Sequence, residues 1–169
     1  MSRSEKRIQD YLKHFNVSQS KKDLDVDIKP ISVNNLIDMI QIELSHWPIE
    51  ISLIYELKDL SQIIQLDSEL FLEGLTNILK NSVDYAKSEI ILNIYENDSY
   101  LIVDIEDDGP GFSQEALLNY NKPYFSENPL IGNMGLGLYI TDEIMKRQGI
   151  EMVLSNQLGA NTKLFIKKS

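Results

Sequence analysis

The sequence contains no cysteine and only two histidines among its 169 residues. A chain without thiols can form neither a disulfide framework nor a thiolate metal site, and two isolated histidines do not supply the ligand set of a zinc centre. The fold must therefore depend on the packing of apolar side chains. The lack of disulfides fits a cytoplasmic setting for this part of the protein.

Positive charge and long hydrophobic runs are also scarce. Lys and Arg number 16 against 26 Asp and Glu, which gives a net charge of −10. A nucleic-acid surface needs clustered cations, so we expect no nucleic-acid partner. No apolar run approaches the ~20 residues that cross a bilayer, and no signal-peptide core follows the N-terminus. An anionic ligand would have to be held by backbone amides, a few local cations or a bridging metal.

Apolar residues make up 43% of the chain and recur with helical or strand periods. Ser32 is a predicted N-cap for a helix that ends at about Ser45. Its inward positions are Val33, Leu36, Ile37, Ile40 and Leu44. Asp67 is predicted to cap a longer helix over residues 66–86. The alternating segments at residues 51–57 and 61–66 predict two strands that pair with each other.

The remaining segments predict a strand hairpin, a loop that begins with a short helical stretch, a third helix and two final strands. In chain order they are residues 89–96 and 100–106, 113–134, 137–148, 150–156 and 162–168. The loop contains prolines and asparagines and is a candidate lid. Antiparallel neighbours with helices inserted between them predict an α+β two-layer sandwich, in which a mixed, mostly antiparallel sheet is covered on one face by about three helices.

The N-terminal segment has a different character. Ile8, Tyr11, Leu12 and Phe15 fall on one stripe of an otherwise polar helix, which needs a partner for that stripe. A polar stretch without an apolar period follows. We therefore expect a helix over residues 1–16, a linker over 17–26 and one main domain over 27–169.

A polar stripe on the long helix is the first candidate site. Asn77 and Asn81 are four residues apart and share a face with Asp84 and Tyr85. Asparagine is a poor helix former, so its recurrence in the middle of a helix needs an explanation. This face of the helix is either a solvated outer surface or a stripe that faces a ligand. In the second reading one carboxamide oxygen helps to coordinate Mg²⁺, which takes few protein oxygens.

The second candidate is DDGPGFS (107–113), directly after an apolar strand. Gly109 and Gly111 allow a sharp turn and a close approach to a flat ligand, and Asp107 can accept a hydrogen bond from an exocyclic amine. A plain Asp-Gly turn between strand and helix is the alternative.

The third candidate is GNMGLGL (132–138), a glycine-rich loop that opens a helix. Exposed amides at a helix N-terminus, reinforced by the helix dipole, can bind an anion without lysines. The loop is not a dinucleotide-binding GxGxxG motif, because Ile140 stands at the third glycine position, and the chain has no P-loop.

The order of five segments resembles a known family. They are NILKNSVDY (77–85), DDGPGF (107–112), PYF (123–125), GLGL (135–138) and GANTKLF (159–165). They resemble the N, G1, F, G2 and terminal Gly-Thr boxes of the histidine-kinase catalytic domain, which belongs to the superfamily shared with gyrase, Hsp90 and MutL ATPases. The resemblance covers residues 27–169 and implies a domain that binds ATP with Mg²⁺.

The resemblance implies a role for each box. Asp107 resembles the acid that recognises the adenine amino group, Tyr85 the aromatic that stacks on adenine, and Asn81 the magnesium ligand. Asp108 is assigned no contact. The implied nucleotide-binding residues are Asn77, Asn81, Tyr85, Asp107, Gly109, Gly111, Phe125 in the lid, Gly135, Leu136, Gly137, Leu138 and Thr162.

Three positions depart from the family pattern. Asp84 stands where the family commonly has a basic residue, Glu127 where a cation is often found, and Asn161 at the second glycine of the terminal box. These departures imply weakened ATP binding.

The implied activity is that of an ATP-dependent protein histidine kinase. The domain would donate the γ-phosphate to a histidine on a dimerisation domain not contained in this chain. Gyrase-type relatives have a glutamate that acts as a base where Asn77 stands. The absence of this glutamate favours protein phosphorylation over hydrolysis of ATP. His14 and His46 lack the acidic neighbour of an acceptor, and no catalytic residue is assigned.

The resemblance also implies partners. Residues 1–16 resemble the end of a dimerisation and phosphoacceptor helix, so the chain is expected to be part of a longer, homodimeric sensor kinase anchored in the cell membrane. Its partners would be that kinase's own phosphoacceptor domain and a response regulator. Two alternatives stay open: a free-standing serine kinase of the anti-sigma-factor type, and a degenerate, non-catalytic nucleotide-binding module.

Overall fold

Four helices and seven strands form the part of the chain that the computed structural model describes, residues 25–122 and 134–169. The helices are α1 (Val33–Ser45), α2 (Ser68–Tyr85), α3 (Gln114–Asn119) and α4 (Met134–Lys146). The strands are β1 (Lys29–Ser32), β2 (Ile51–Tyr55), β3 (Ile63–Leu66), β4 (Ile90–Glu96), β5 (Tyr100–Asp107), β6 (Glu151–Asn156) and β7 (Ala160–Lys167).

The predicted caps set the starts of the two long helices. The Ser32 hydroxyl accepts from the Asn35 amide at 3.1 Å, and the Asp67 carboxylate accepts from the Leu70 amide at 3.0 Å, so each satisfies a donor without an intrahelical partner. The five apolar positions predicted to point inward from α1 are all buried. Helix α4 begins three residues earlier than predicted, at Met134 rather than residue 137.

The five-stranded sheet has the order β2-β4-β5-β7-β6. Strand β2 runs parallel to β4, and the other neighbours are antiparallel. Along β5, alternate residues Leu101, Val103 and Ile105 are buried in the core that the sheet shares with α1, α2 and α4. This is the predicted α+β sandwich, with the helices packed on one face.

The predicted pairing of residues 51–57 with 61–66 is wrong. Strand β2 pairs with β4, with Ile51 opposite Ile90, and β3 pairs with β1 in a separate two-stranded sheet, with Ile64 opposite Ile31. The alternating pattern identified both strands but carries no information on their partners. A parallel pair needs a long crossover, and here the connection from β2 to β4 contains α2.

Several expectations fall on residues that the structure does not describe. The helix over residues 1–16, most of the linker and the lid residues 123–133, which include Phe125 and Glu127, lie outside the described residues. Val26 packs against Leu70, Ile140 and Ile144, so apolar packing begins close to the expected start of the main domain. The division into residues 1–16, 17–26 and 27–169 stays a prediction. Among the described helices, none has the length and apolar character needed to span a bilayer.

Candidate functional site

A cavity of about 360 Å³ opens between helices α2 and α4 and the ends of strands β5 and β7. Residues from four separate segments line it, and two of those segments are the predicted asparagine stripe and the DDGPGFS turn. The lining residues are Ile78, Asn81, Ser82, Tyr85, Asp107, Pro110, Gly111, Phe112, Ser113, Leu138, Ala160 and Thr162. Its volume suits a small ligand of nucleoside size.

Asp107 is the buried acid of this cavity. It is the last residue of β5 and is 4% exposed. Its Oδ1 accepts from the Gly109 amide at 2.8 Å and from the Ala160 amide at 3.4 Å. These backbone donors fix the plane of the carboxylate and leave Oδ2 to accept from a ligand. A buried carboxylate that keeps one oxygen for a ligand favours a ligand with a hydrogen-bond donor at that point.

The backbone around Asp107 is packed so closely that glycine is required beside it. A Cβ on Gly109 would collide with the carbonyl oxygen of Tyr85, and a Cβ on Gly159 would collide with the carbonyl oxygen of Asp107. Gly109 does not line the cavity, so its small size serves contact between α2 and the β5 turn rather than space for a ligand. Gly159 was not predicted, although the motif GANTKLF contains it.

The turn after Gly109 is held by a residue that sequence reasoning missed. Gly111 has a φ of +84°, a conformation that glycine adopts without strain. Asn156 then clamps the next residue: its Oδ1 accepts from the Phe112 amide at 2.7 Å and its Nδ2 donates to the Phe112 carbonyl at 2.7 Å. Nothing local in the sequence links Asn156 to this turn, because the two segments are 44 residues apart.

Asp108 holds the other side of the turn and makes no contribution to the cavity lining. Its carboxylate accepts from the Lys87 amide at 2.8 Å, and from the Ser88 amide at 3.0 Å and hydroxyl at 2.7 Å. These hydrogen bonds, those from Ser88 above all, hold the pKa of Asp108 well below its usual value. Asp108 therefore ties the end of β5 to the segment that follows α2.

The polar stripe on α2 divides between two environments. Asn81 and Tyr85 line the cavity, and Tyr85 is 39% exposed, so its ring is available to a ligand. Asn77 is 4% exposed and does not line the cavity; its Nδ2 lies 3.4 Å from the Thr141 hydroxyl of α4. The structure thus brings Asn81 and Tyr85 together with Asp107 and separates Asn77 from them.

The described part of the glycine-rich segment, residues 134–138, lies at the start of α4. Gly135, Leu136, Gly137 and Leu138 are all within the helix, and Leu138 lines the cavity. The first four N–H groups of a helix have no intrahelical partner, so the start of α4 offers donors to an anion. Thr162 of β7 also lines the cavity, beside Ala160.

Two of the three family departures have a structural account. Asp84 forms an ion pair with Lys80 at 3.1 Å on the exposed side of α2 and is not in the cavity lining. Asn161 precedes Thr162 in β7, so the two side chains point to opposite faces of the sheet. The Asn161 amide donates to Asp104 at 2.6 Å and its oxygen accepts from Lys163 at 2.8 Å, so it leaves the cavity open.

The described residues contain no group of three or more acidic or histidine side chains that could hold a metal on their own. Asn81 is the cavity residue whose carboxamide oxygen suits a hard cation. A single protein oxygen fits an ion that takes its other ligands from water and from a bound phosphate, as Mg²⁺ does.

Comparisons with known proteins agree with this arrangement. The family model described as histidine kinase-, DNA gyrase B-, and HSP90-like ATPase matches residues 66–168. The sensor histidine kinase CssS of Bacillus subtilis is 26% identical over 107 residues, which are 59% of this chain and 23% of that protein. The nisin biosynthesis sensor protein NisK of Lactococcus lactis subsp. lactis is 32% identical over 141 residues, which are 70% of this chain and 31% of that protein. The chain therefore spans less than a third of the length of either relative.

Solved structures show the same fold. The catalytic domain of histidine kinase ThkA matches with a TM-score of 0.67 at 19% identity, covering 84% of this chain and 96% of that chain. Full-length ShkA in complex with AMPPNP also matches with a TM-score of 0.67, at 16% identity, covering 96% of this chain and 35% of that chain. The predicted histidine-kinase-type ATPase fold is confirmed.

The Asp108 contacts predict a pH-dependent stability. Because the pKa of Asp108 is lower in the folded chain than in the unfolded one, its stabilisation is fully present above the ordinary carboxyl value of about 3.9 and is lost as the pH falls below it. Asp108→Asn should therefore lower the free energy of unfolding at pH 7, and the difference from wild type should shrink below about pH 4.

Urea unfolding at pH 7 and at successive values below pH 4 measures this difference. Asp98→Asn, in the exposed turn between β4 and β5, is the matched control and should change little at any pH. A loss for Asp108→Asn that is the same at every pH would show that the charge of this carboxylate does not matter.

Proposed function

The chain belongs to the histidine kinase-, DNA gyrase B- and HSP90-like ATPase family, and we propose that it is the catalytic part of a two-component sensor histidine kinase. As a member of an ATPase family the domain binds a nucleotide. The proposal is that this nucleotide is ATP with Mg²⁺ and that its γ-phosphate passes to a histidine on a dimerisation domain. The similarity to CssS and NisK, both named as sensor proteins, supports this role.

The observation that carries the proposal is the carboxylate of Asp107 in the cavity wall. Its Oδ1 is occupied by backbone amides, and Oδ2 can accept one hydrogen bond from a ligand. The exocyclic amine of adenine supplies that donor, whereas guanine presents a carbonyl oxygen at the same place. Tyr85 and Ile78 of α2 and Leu138 of α4 supply apolar or aromatic surface for a purine ring. The ShkA structure with the same fold contains AMPPNP, an ATP analogue.

The phosphates would lie between two helices. The free amides at the start of α4 would donate to the phosphate oxygens, and Asn81 would place its carboxamide oxygen toward the same group. When bound there, Mg²⁺ would neutralise charge on the phosphates. Catalysis by this domain would consist of positioning and charge neutralisation.

The composition of the cavity favours transfer to a protein over hydrolysis. Asp107 is the only carboxylate among the described residues that line it, and its role is adenine recognition. Asn77 is buried against α4 and is not basic. A water molecule near the γ-phosphate would thus lack a general base from the described lining, and an in-line nucleophile from another domain would be needed.

The histidine that accepts the γ-phosphate would not be one of the described residues of this chain. His46 is the C-cap residue of α1, with its amide donating to the carbonyls of Glu43 and Leu44, and it is not part of the cavity lining. His14 lies outside the described residues. We propose that the partners are the phosphoacceptor domain of a homodimeric parent protein and a response regulator, and that the domain works on the cytoplasmic side of a membrane-anchored parent.

Asn81→Ala should abolish Mg²⁺-dependent ATP binding and leave thermal unfolding of the ligand-free domain nearly unchanged. The removed amide lies on the cavity surface, so its loss opens no packed core. Titration calorimetry with ATP, with and without Mg²⁺, measures the effect. Asn34→Ala, at an exposed position of α1, is the control and should bind like wild type. Wild-type affinity in Asn81→Ala would remove Asn81 from the magnesium site.

Asp107 should select ATP over GTP by roughly ten- to a hundredfold, because a hydrogen bond to a charged group is worth about 1.5–3 kcal/mol. Asp107→Asn should reduce this selectivity, since its amide can turn a donor toward guanine while its oxygen still accepts from the Gly109 amide. Competition binding with both nucleotides measures it. Asp108→Asn is the control and should keep the selectivity. Equal affinity of the wild type for ATP and GTP would contradict the adenine assignment.

A further inference from the structure

Asn77 has a buried partner that its place in the asparagine stripe does not suggest. Its Nδ2 faces the hydroxyl of Thr141, a residue of α4 that is fully buried at 0% exposure, with 3.4 Å between the two atoms. The Thr141 hydroxyl in turn donates to the carbonyl oxygen of Gly137 at 2.8 Å. The hydroxyl has one proton, so it must accept from Asn77. Two consecutive hydrogen bonds therefore connect α2 to Gly137, the second glycine of the GLGL segment: Asn77 donates to Thr141, and Thr141 donates to Gly137. We call this pair of hydrogen bonds the relay.

Close packing of the two helices makes this chain of hydrogen bonds possible. Gly74 lies one turn before Asn77, and a Cβ there would come within 2.6 Å of the Met145 side chain and 3.5 Å of the Thr141 methyl group. The missing side chain lets α2 approach α4, and the short Asn77 side chain then reaches across. A buried hydroxyl costs free energy unless it is hydrogen-bonded, and the Thr141 hydroxyl both donates to the Gly137 carbonyl and accepts from the Asn77 amide.

We propose that Asn77 and Thr141 are positioning residues, which hold the first turn of α4 at a fixed place relative to the part of α2 that carries Asn81. This inference depends on the proposed function, because the position of this turn matters to ligand binding only if the turn binds phosphate. Gly137 lies in the turn whose free amides would bind phosphate, and Asn81 lies one helical turn after Asn77. The relay thereby sets the spacing between the two groups that would contact the phosphates and their metal ion.

The adenine end of the cavity does not depend on this relay. Asp107 is fixed by Gly109 and Ala160, which belong to the β5 turn and to β7. Loosening the start of α4 should therefore weaken the binding of phosphates and leave the binding of the base largely unchanged. A purely structural role in the core would instead weaken both together. This difference separates positioning from general stability.

The test compares Thr141→Val with Thr141→Ser. Valine keeps the shape and removes the hydroxyl, whereas serine keeps the hydroxyl. Affinities of each variant for adenosine and for ATP with Mg²⁺ are measured by titration calorimetry. In Thr141→Val we expect roughly three- to tenfold weaker ATP binding, the effect of losing about one hydrogen bond, with adenosine affinity unchanged. Thr141→Ser should restore the wild-type ratio of the two affinities.

A double variant tests the pair directly. If Asn77 acts through Thr141, then Asn77→Ala combined with Thr141→Val should bind ATP no more weakly than Thr141→Val alone. Additive losses would overturn the relay, as would equal losses for adenosine and ATP or no loss for either. If Thr141→Val does not fold, the same comparison is made with Asn77→Ala, where ATP affinity should fall and adenosine affinity should not.

The wild-type measurement separates this inference from the proposed function. Failure of the wild type to bind ATP with Mg²⁺ would contradict the proposed function itself. Normal wild-type binding together with an unchanged ATP-to-adenosine ratio in Thr141→Val would contradict only the relay.

Discussion

The whole site depends on a backbone junction at the end of β5 that admits only glycine. Gly109 rests on the carbonyl oxygen of Tyr85, and Gly159 rests on the carbonyl oxygen of Asp107, so α2, the β5 turn and the start of β7 meet without side chains between them. Because they meet there, the Asp107 carboxylate can accept hydrogen bonds from the backbone amides of Gly109 and Ala160, on the two sides of the junction. Its free oxygen is then fixed before any ligand arrives, which is the kind of preorganisation that gives a buried hydrogen bond its selectivity.

The rest of the cavity follows from this fixed point. Helix α2 ends at the junction with Tyr85, and Asn81 lies one turn earlier, so a ligand bound at Asp107 would extend along α2 toward the start of α4. Two of the departures from the family pattern, Asp84 and Asn161, lie off this path, since the Asp84 carboxylate pairs with Lys80 and Asn161 points to the other face of the sheet. At these two positions the expected cost to ATP binding is thus the missing cation at Asp84, which is a matter of affinity and not of access.

Much of the fold and about half of the described residues that line the cavity could be predicted from the sequence, for reasons that particular residues make clear. Caps such as Ser32 and Asp67 and the period of the α1 core act locally, so the sequence displays them. The partner of β2, the clamp by Asn156 and the Asn77–Thr141 contact join segments far apart in the chain, and no local pattern encodes them. The sequence assigns Asp108 no contact, yet in the structure it holds the segment after α2 in place, through residues about 20 positions away in the chain.

We propose above all that this domain presents the γ-phosphate of ATP to a histidine on another domain. The most direct measurement mixes the chain with γ-labelled ATP, Mg²⁺ and a dimeric helical hairpin that carries the acceptor histidine of the full-length protein. We expect acid-labile, base-stable label on the hairpin, at a rate limited by the missing covalent tether, and no label on His14 or His46. Label on the chain's own histidines, acid-stable phosphate on a serine of the hairpin, or release of free phosphate with an unlabelled hairpin would contradict it.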